Sequence, residues 1–220
     1  LQGREAVRQY ELAYEEARRQ LSSRPIEEVC RTSGATPAPG GAACILDYLG
    51  IDYIVEFPHC EVKARGSGRL TLTDKIVIVH YLANASGRPI SNSWISFKEL
   101  LGGESHWPLL YRESVEPLAN LLSSVDPHEL ERIAGELGWK DFEPMEFGDY
   151  SFRFRALPAV PVGFVGWRAS QEFPASGAIM LDASASSYID MADAFYLCSR
   201  LCAQMAERVT GSNAPLRREG

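Results

Sequence analysis

Apolar positions near the N-terminus fall three and four apart: Val7, Tyr10, Tyr14, Ala17 and Leu21. That spacing keeps one face of a 3.6-residue helix apolar, while Arg8, Glu11, Glu15, Arg18 and Arg19 take the other faces. Glu15 and Arg19 stand four apart, the separation at which a helical ion pair forms. Pro25 suits the first turn of a second short helix, and Gly34 suits its end. Beyond the Pro- and Gly-rich segment 36–41, apolar runs at 43–49 and 52–57 flank Gly50 and predict a β-hairpin. A third strand is expected around residues 69–72, after the Gly66-Ser67-Gly68 turn. Residues 73–85 carry strand-forming Ile76 to Val79, but the apolar run is too long for a strand. With Thr73-Asp74 as its start, it predicts a buried helix.

Ser86-Gly87-Arg88-Pro89 reads as a turn, followed by Trp94 to Phe97 and a short helix ending at Gly102-Gly103. Residues 111–137 predict two helices broken at Asp126-Pro127. Asp126 caps the second, whose core stripe is Leu130, Ile133, Ala134 and Leu137. The last third changes period. Residues 150–155 alternate aromatic and polar side chains, which predicts a half-buried strand, and 160–167 and 178–181 supply two more. A final helix over about 190–209 places Phe195, Cys198, Leu201, Cys202, Met205 and Val209 on one face. No repeat and no linker interrupts this order. The expectation is an α+β fold, antiparallel sheets packed against several helices, as a single domain over 1–210 with a polar tail at 211–220.

Composition narrows the picture. A chain of 220 residues with 45% hydrophobic and 23% charged residues is an ordinary globular mixture. At this length folding buries roughly 70–75% of the extended chain's surface, so no disulfide or metal staple is required. A net charge of −7 disfavours a polyanion partner, so nucleic acid is not expected. No apolar run nears the roughly 20 residues that span a bilayer. The polar start, Leu1-Gln2-Gly3-Arg4-Glu5, is not a signal peptide and has no initiator Met. Five cysteines, an odd number without a CxxC pair, read as reduced thiols of a cytoplasmic protein.

Signature chemistry is sparse. The chain has no GxxxxGK[ST] loop, GxGxxG, HExxH or GxSxG. Cys198 and Cys202 share a helix face, so they are half of a metal site or two small core residues; the apolar stripe around them favours the core. His59 and Cys60, with Cys30, Cys44 and His80, could assemble a mixed nitrogen and sulfur site, though nothing in their spacing requires one. His80 interrupts an apolar helix, as a hydrogen-bonded core histidine or a catalyst would.

The densest set of unusual residues is 167–188. Glu172 lies in a loop among aromatics, and Asp182 ends a strand before a run of small hydroxyl residues. Together they could act as an acid–base pair or hold a cation. Alternatively, Asp182 closes a turn over Ser184, and Glu172 pairs with Arg168 or Arg153. Trp94, Trp107, Trp167 and Tyr188 offer rigid aromatic surface for a ligand.

His80-Tyr81-Leu82, Trp94 to Leu100, Leu157 to Pro161, Glu172-Phe173-Pro174-Ala175, Ile179 to Ala185 and Tyr188-Ile189 occur in an order that is also a family pattern. Over about residues 6–201 the chain resembles the prokaryotic domain-of-unknown-function family thirty-seven eighty-six, found largely in anaerobic bacteria and archaea. The resemblance brings no assigned activity. It suggests a link to corrinoid or one-carbon metabolism. Some members carry a cysteine-rich iron–sulfur segment, which this chain lacks, so that cofactor is not implied. Members often place Asp-Glu where this chain has Ser170-Gln171, which weakens a multi-carboxylate metal site. The expected function is a small-molecule or cofactor-binding or accessory module, with a small molecule or a protein as partner. Its candidate contacts are Glu172, Asp182, His80, Trp94, Trp167 and Tyr188, and no metal is assigned. The alternatives are an enzyme using Glu172 and Asp182 with His80 as third member, and a structural subunit of a larger assembly.

Overall fold

The computed structural model describes residues 2–66 and 70–212, with side chains described from residue 11 to residue 211. Val7 and Tyr10 as side chains, Arg69 and the tail from Asn213 lie outside those limits. The fold is α+β, a single domain of two antiparallel sheets and the helices that cover them. Sheet one runs β1 (Thr36–Pro37), β2 (Ala43–Tyr48), β3 (Ile51–Glu56) and β4 (Glu61–Ala64) in that spatial order. Sheet two contains β5 (Trp94–Ser96), β6 (Lys140–Pro144), β7 (Tyr150–Leu157), β8 (Val160–Trp167) and β9 (Ser176–Asp182), ordered β5-β9-β8-β7-β6. The helices are α1 (Gln2–Ser22), α2 (Ile26–Ser33), α3 (Leu72–Asn84), α4 (Gly103–Leu110), α5 (Glu116–Leu122), α6 (Pro127–Leu137) and α7 (Met191–Ser212). A π turn at Tyr111–Val115 joins α4 to α5.

Alternation along β2 decides which side of sheet one is core. Cys44, Leu46 and Tyr48 face inward with Tyr53, Val55 and Val62 of the neighbouring strands, all of them buried. Ile45, Asp47 and Asp52 face the other way. Helix α3 is buried along most of its length, from Ile76 to Val79 and at Tyr81 and Leu82. Its start is Thr71, where a capping box with Asp74 satisfies two orphan backbone donors, so the helix begins one residue before the expected 73. The Tyr81 hydroxyl donates to Ser33 O and accepts from Ala159 N at 3.0 Å, tying α2 and α3 to the β7–β8 turn. Helix α7 turns one face to the core, with Leu197, Cys198, Leu201, Cys202, Met205 and Val209 buried.

Several expectations change. The third strand of sheet one is Glu61–Ala64, not 69–72, because Leu72 already belongs to α3. Only one turn of 3₁₀ helix, Phe97–Glu99, follows β5; Gly102 and Gly103 open α4 instead of closing a helix. Glu15 pairs with Arg18, and Arg19 pairs with Glu16, at i,i+3 rather than Glu15 with Arg19. Phe195 is only partly buried. Among the described residues no helix is long and apolar enough to cross a membrane.

Candidate functional site

The six expected contact residues separate along β9. Trp167 pairs with Ser176 at one end of the β8–β9 ladder, while Trp94 pairs with Asp182 at the other. Six residues of strand span about 20 Å, so Glu172, on the exposed loop beyond Trp167, cannot share a reacting atom with Asp182. The expected acid–base pair is therefore not assembled. Neither Arg168 nor Arg153 is free for Glu172: Arg168 donates to the carbonyls of Ser123 and Val125, and Arg153 pairs with Glu143.

Asp182 is fully buried and structural. Its Oδ1 accepts from Ser91 N at 3.0 Å, Ser91 Oγ at 2.8 Å, Ser184 N at 2.9 Å and Ser184 Oγ at 2.5 Å, closing the turn after β9 and clamping the chain before β5. Tyr188 extends the same clamp, stacking on Tyr81 and donating to Arg88 O. His80 lies nearby on α3, its Nδ1 2.9 Å from Oδ1 of the buried Asp193. Asp190 and Asp193 form the capping arrangement of α7, Asp193 N donating to Asp190 Oδ1 at 2.9 Å and Asp190 N to Asp193 Oδ2 at 3.4 Å. His80, Asp190 and Asp193 have ligand atoms within 4.8 Å of one another, but helix capping and one imidazole bond already account for them.

The cysteines do not gather around a histidine. All five are free and buried, His59 is exposed, and His80 belongs to Asp193. Burial pushes the Cys44 thiol up to about 12 and the Cys60 thiol up to about 11, so both stay protonated and inert.

The concave site is elsewhere, between the outer face of sheet one and the β6–β7 edge of sheet two. A cleft of about 500 Å³ opens there. Its charged lining is Asp47, Asp52, Arg65, Lys140, Asp141 and Arg155, and Ile45 and Pro158 add apolar wall. Local backbone rules build it. Leu49 and Gly50, at φ +52° and +81°, make the two-residue turn that sets Asp47 directly opposite Asp52. Gly50 packs backbone to backbone on the α6–β6 turn, where a Cβ would lie 2.1 Å from Leu137 O. That contact and the hydrogen bond from Leu49 N to Ala156 O (2.9 Å) fix the hairpin against sheet two. The β6–β7 ladder slips register between Lys140 and Glu143, with Asp141 at φ +54°, and this bulge turns Lys140 and Asp141 into the cleft.

A family model, the domain of unknown function DUF3786, matches residues 25–204. The chain belongs to this family. The matched region contains every residue that lines the cleft. No curated protein and no solved structure matches the chain.

Electrostatics single out one residue in this DUF3786 domain. Two carboxylates directly opposite on neighbouring strands repel, and Lys140 relieves that, its Nζ 3.3 Å from Asp47 Oδ2 and 3.3 Å from Asp52 Oδ1. Arg65 stands 3.7 Å from Asp52, and Arg155 pairs with Asp141. Asp47 is 8% exposed, and its Oδ2, though within ion-pair range of Lys140, has no aligned hydrogen-bond donor. Burial raises its carboxyl above the ordinary range; Lys140 pulls it down only in part, and Asp52 adds to the rise. A buried carboxyl with a raised pKa, held by one exposed lysine at the wall of a cleft, is the pattern of a binding or proton-handling group. Sequence reasoning missed it because Asp47 sits inside an apolar run. The signal was the hairpin itself: acids at equal distances from the Leu49-Gly50 turn must face each other.

Proposed function

We propose that this DUF3786 protein binds a small molecule in the cleft between its two sheets, with Asp47 as the anchoring group. One observation carries the reading: a nine-tenths buried carboxyl at the wall of a charged cleft keeps an oxygen whose cation neighbour, the exposed Lys140 ammonium at 3.3 Å, lies outside aligned hydrogen-bond geometry. A ligand donor that takes the place of Lys140 with aligned geometry gains a charge-assisted hydrogen bond to this oxygen. The cleft's volume falls within the roughly 300–1,000 Å³ usual for small-molecule sites. The five free thiols support a reducing, cytoplasmic setting.

The test is a thermal-shift screen over nucleotides, sugar phosphates, amino acids, polyamines and corrinoids, the last prompted by the family resemblance to proteins of anaerobes. At least one compound is expected to raise the melting temperature of the natural protein and to lose that effect in D47N. A compound that stabilises both proteins equally binds somewhere else, and an empty screen removes the support for this reading.

A further inference from the structure

The chemistry of the cleft narrows its ligand, given that Asp47 anchors one there. Three acids and three bases line it, so its charges balance and a strongly charged anion or cation finds as much repulsion as attraction. The charges are also ordered. Asp47 on β2 faces Asp52 on β3, and Arg65 follows β4 with its N–H on Asp52 O at 2.9 Å. The row Asp47, Asp52, Arg65 therefore crosses three strands, acid to base, over about 10 Å at the usual strand spacing. At the acid end Asp47 Oδ2 has the Lys140 ammonium at 3.3 Å but no donor in aligned geometry. At the base end the exposed Arg65 guanidinium has, among the described residues, one ion-pair contact, at 3.7 Å, too long for a hydrogen bond, which leaves donors available to a ligand. Between them an ammonium group, that of Lys140, already rests against both carboxylates on an exposed and displaceable side chain.

We propose that the cleft binds a small zwitterion of the amino-acid type, its ammonium on Asp47 and Asp52 and its carboxylate on Arg65. The Lys140 ammonium holds the ammonium position until the ligand displaces it. Ile45 and Pro158 form the wall for an apolar substituent.

The sign of three substitutions tests this by titration calorimetry with glycine, L-leucine and L-glutamate, against putrescine, acetate and inorganic phosphate. For an amino acid, D47N is expected to weaken binding roughly 10- to 100-fold, and R65M roughly 10-fold, as charge-assisted hydrogen bonds are lost. K140M is expected to strengthen binding several-fold, because the internal competitor is gone. Weaker binding in K140M overturns the proposal, since Lys140 would then contact the ligand's anion. Putrescine binding that improves in R65M marks a cation site and overturns it as well, as does an amino-acid panel without binding. If another class of compound binds and D47N removes that binding, the anchoring role of Asp47 stands and the zwitterion does not. Lys140 and Arg65 are exposed, so their variants keep the test decisive if D47N folds poorly.

Discussion

Asp47 and Asp182 are both buried at the end of a strand, and each has an Oδ2 without a hydrogen-bond donor. Their surroundings differ in kind. Oδ1 of Asp182 collects four donors from Ser91 and Ser184, and together these outweigh the upward push of burial and hold its carboxyl below the ordinary range. Asp47 has one backbone hydrogen bond, from Gly50 N at 3.3 Å, and a shared lysine, so burial prevails and its carboxyl is raised. One aspartate organises the fold. The other is left with unused hydrogen-bonding capacity beside a cleft. Burial alone therefore does not separate a structural carboxyl from a functional one; the inventory of donors and the adjacent space do.

The largest effect should come from breaking the structural member. D182A removes the acceptor of four hydrogen bonds and is expected to cost about 4 kcal/mol, measured by urea denaturation. A loss below about 1 kcal/mol would mean that the Ser91 and Ser184 clamp does not depend on it. Next in size is G50A, expected to cost about 3 kcal/mol, because the residue has positive φ and its Cβ would collide with Leu137 O. The same substitution should abolish ligand-induced stabilisation, since the Gly50 contact sets the hairpin against Lys140.

D47N should act with the opposite sign. A raised carboxyl contributes stability that is complete below the unfolded value of about 3.9 and lost as pH rises through the folded value. The amide avoids that loss, so D47N should be as stable as or more stable than the natural protein at pH 7, with the advantage vanishing below about pH 4. For Asp182 the sense reverses: its contribution is present above about 3.9 and lost as pH falls through its lowered folded value. The smallest effect is spectroscopic. The hydrogen bond that His80 donates to Asp193 raises the His80 pKa, so D193N should move the His80 NMR titration midpoint down. An unchanged midpoint would break that pairing. The stability tied to His80 is full below about 6.5 and fades as pH rises through its folded pKa.

Long periodic segments were legible in the sequence. The stripe of Tyr14, Ala17 and Leu21, the Asp126 cap with Pro127, and the α7 face through Cys198 and Cys202 all follow from helical spacing, and these residues lie as expected. Edge strands were not. Both β4, Glu-Val-Lys-Ala, and β6, Lys-Asp-Phe-Glu-Pro, carry a single large apolar residue, too little alternation to register, and β6 is bulged as well. The candidate site was hidden for a related reason. It is assembled from an outward hairpin face, a bulge and a strand end that are distant in the chain, and the conspicuous segment 167–188 turned out to be divided between two ends of β9. Of its residues, Asp182 and Tyr188 serve the clamp, whereas Glu172 and Trp167 lie on the surface.

The contrast between the two aspartates can be read in one sample by following the side-chain carboxyl ¹³C shifts of the natural protein through an acid titration. Asp47 is expected to titrate above the ordinary aspartate value of about 3.9 and Asp182 below it. An Asp47 midpoint at or under that value would show a carboxyl already satisfied, and the cleft would lose its anchoring group.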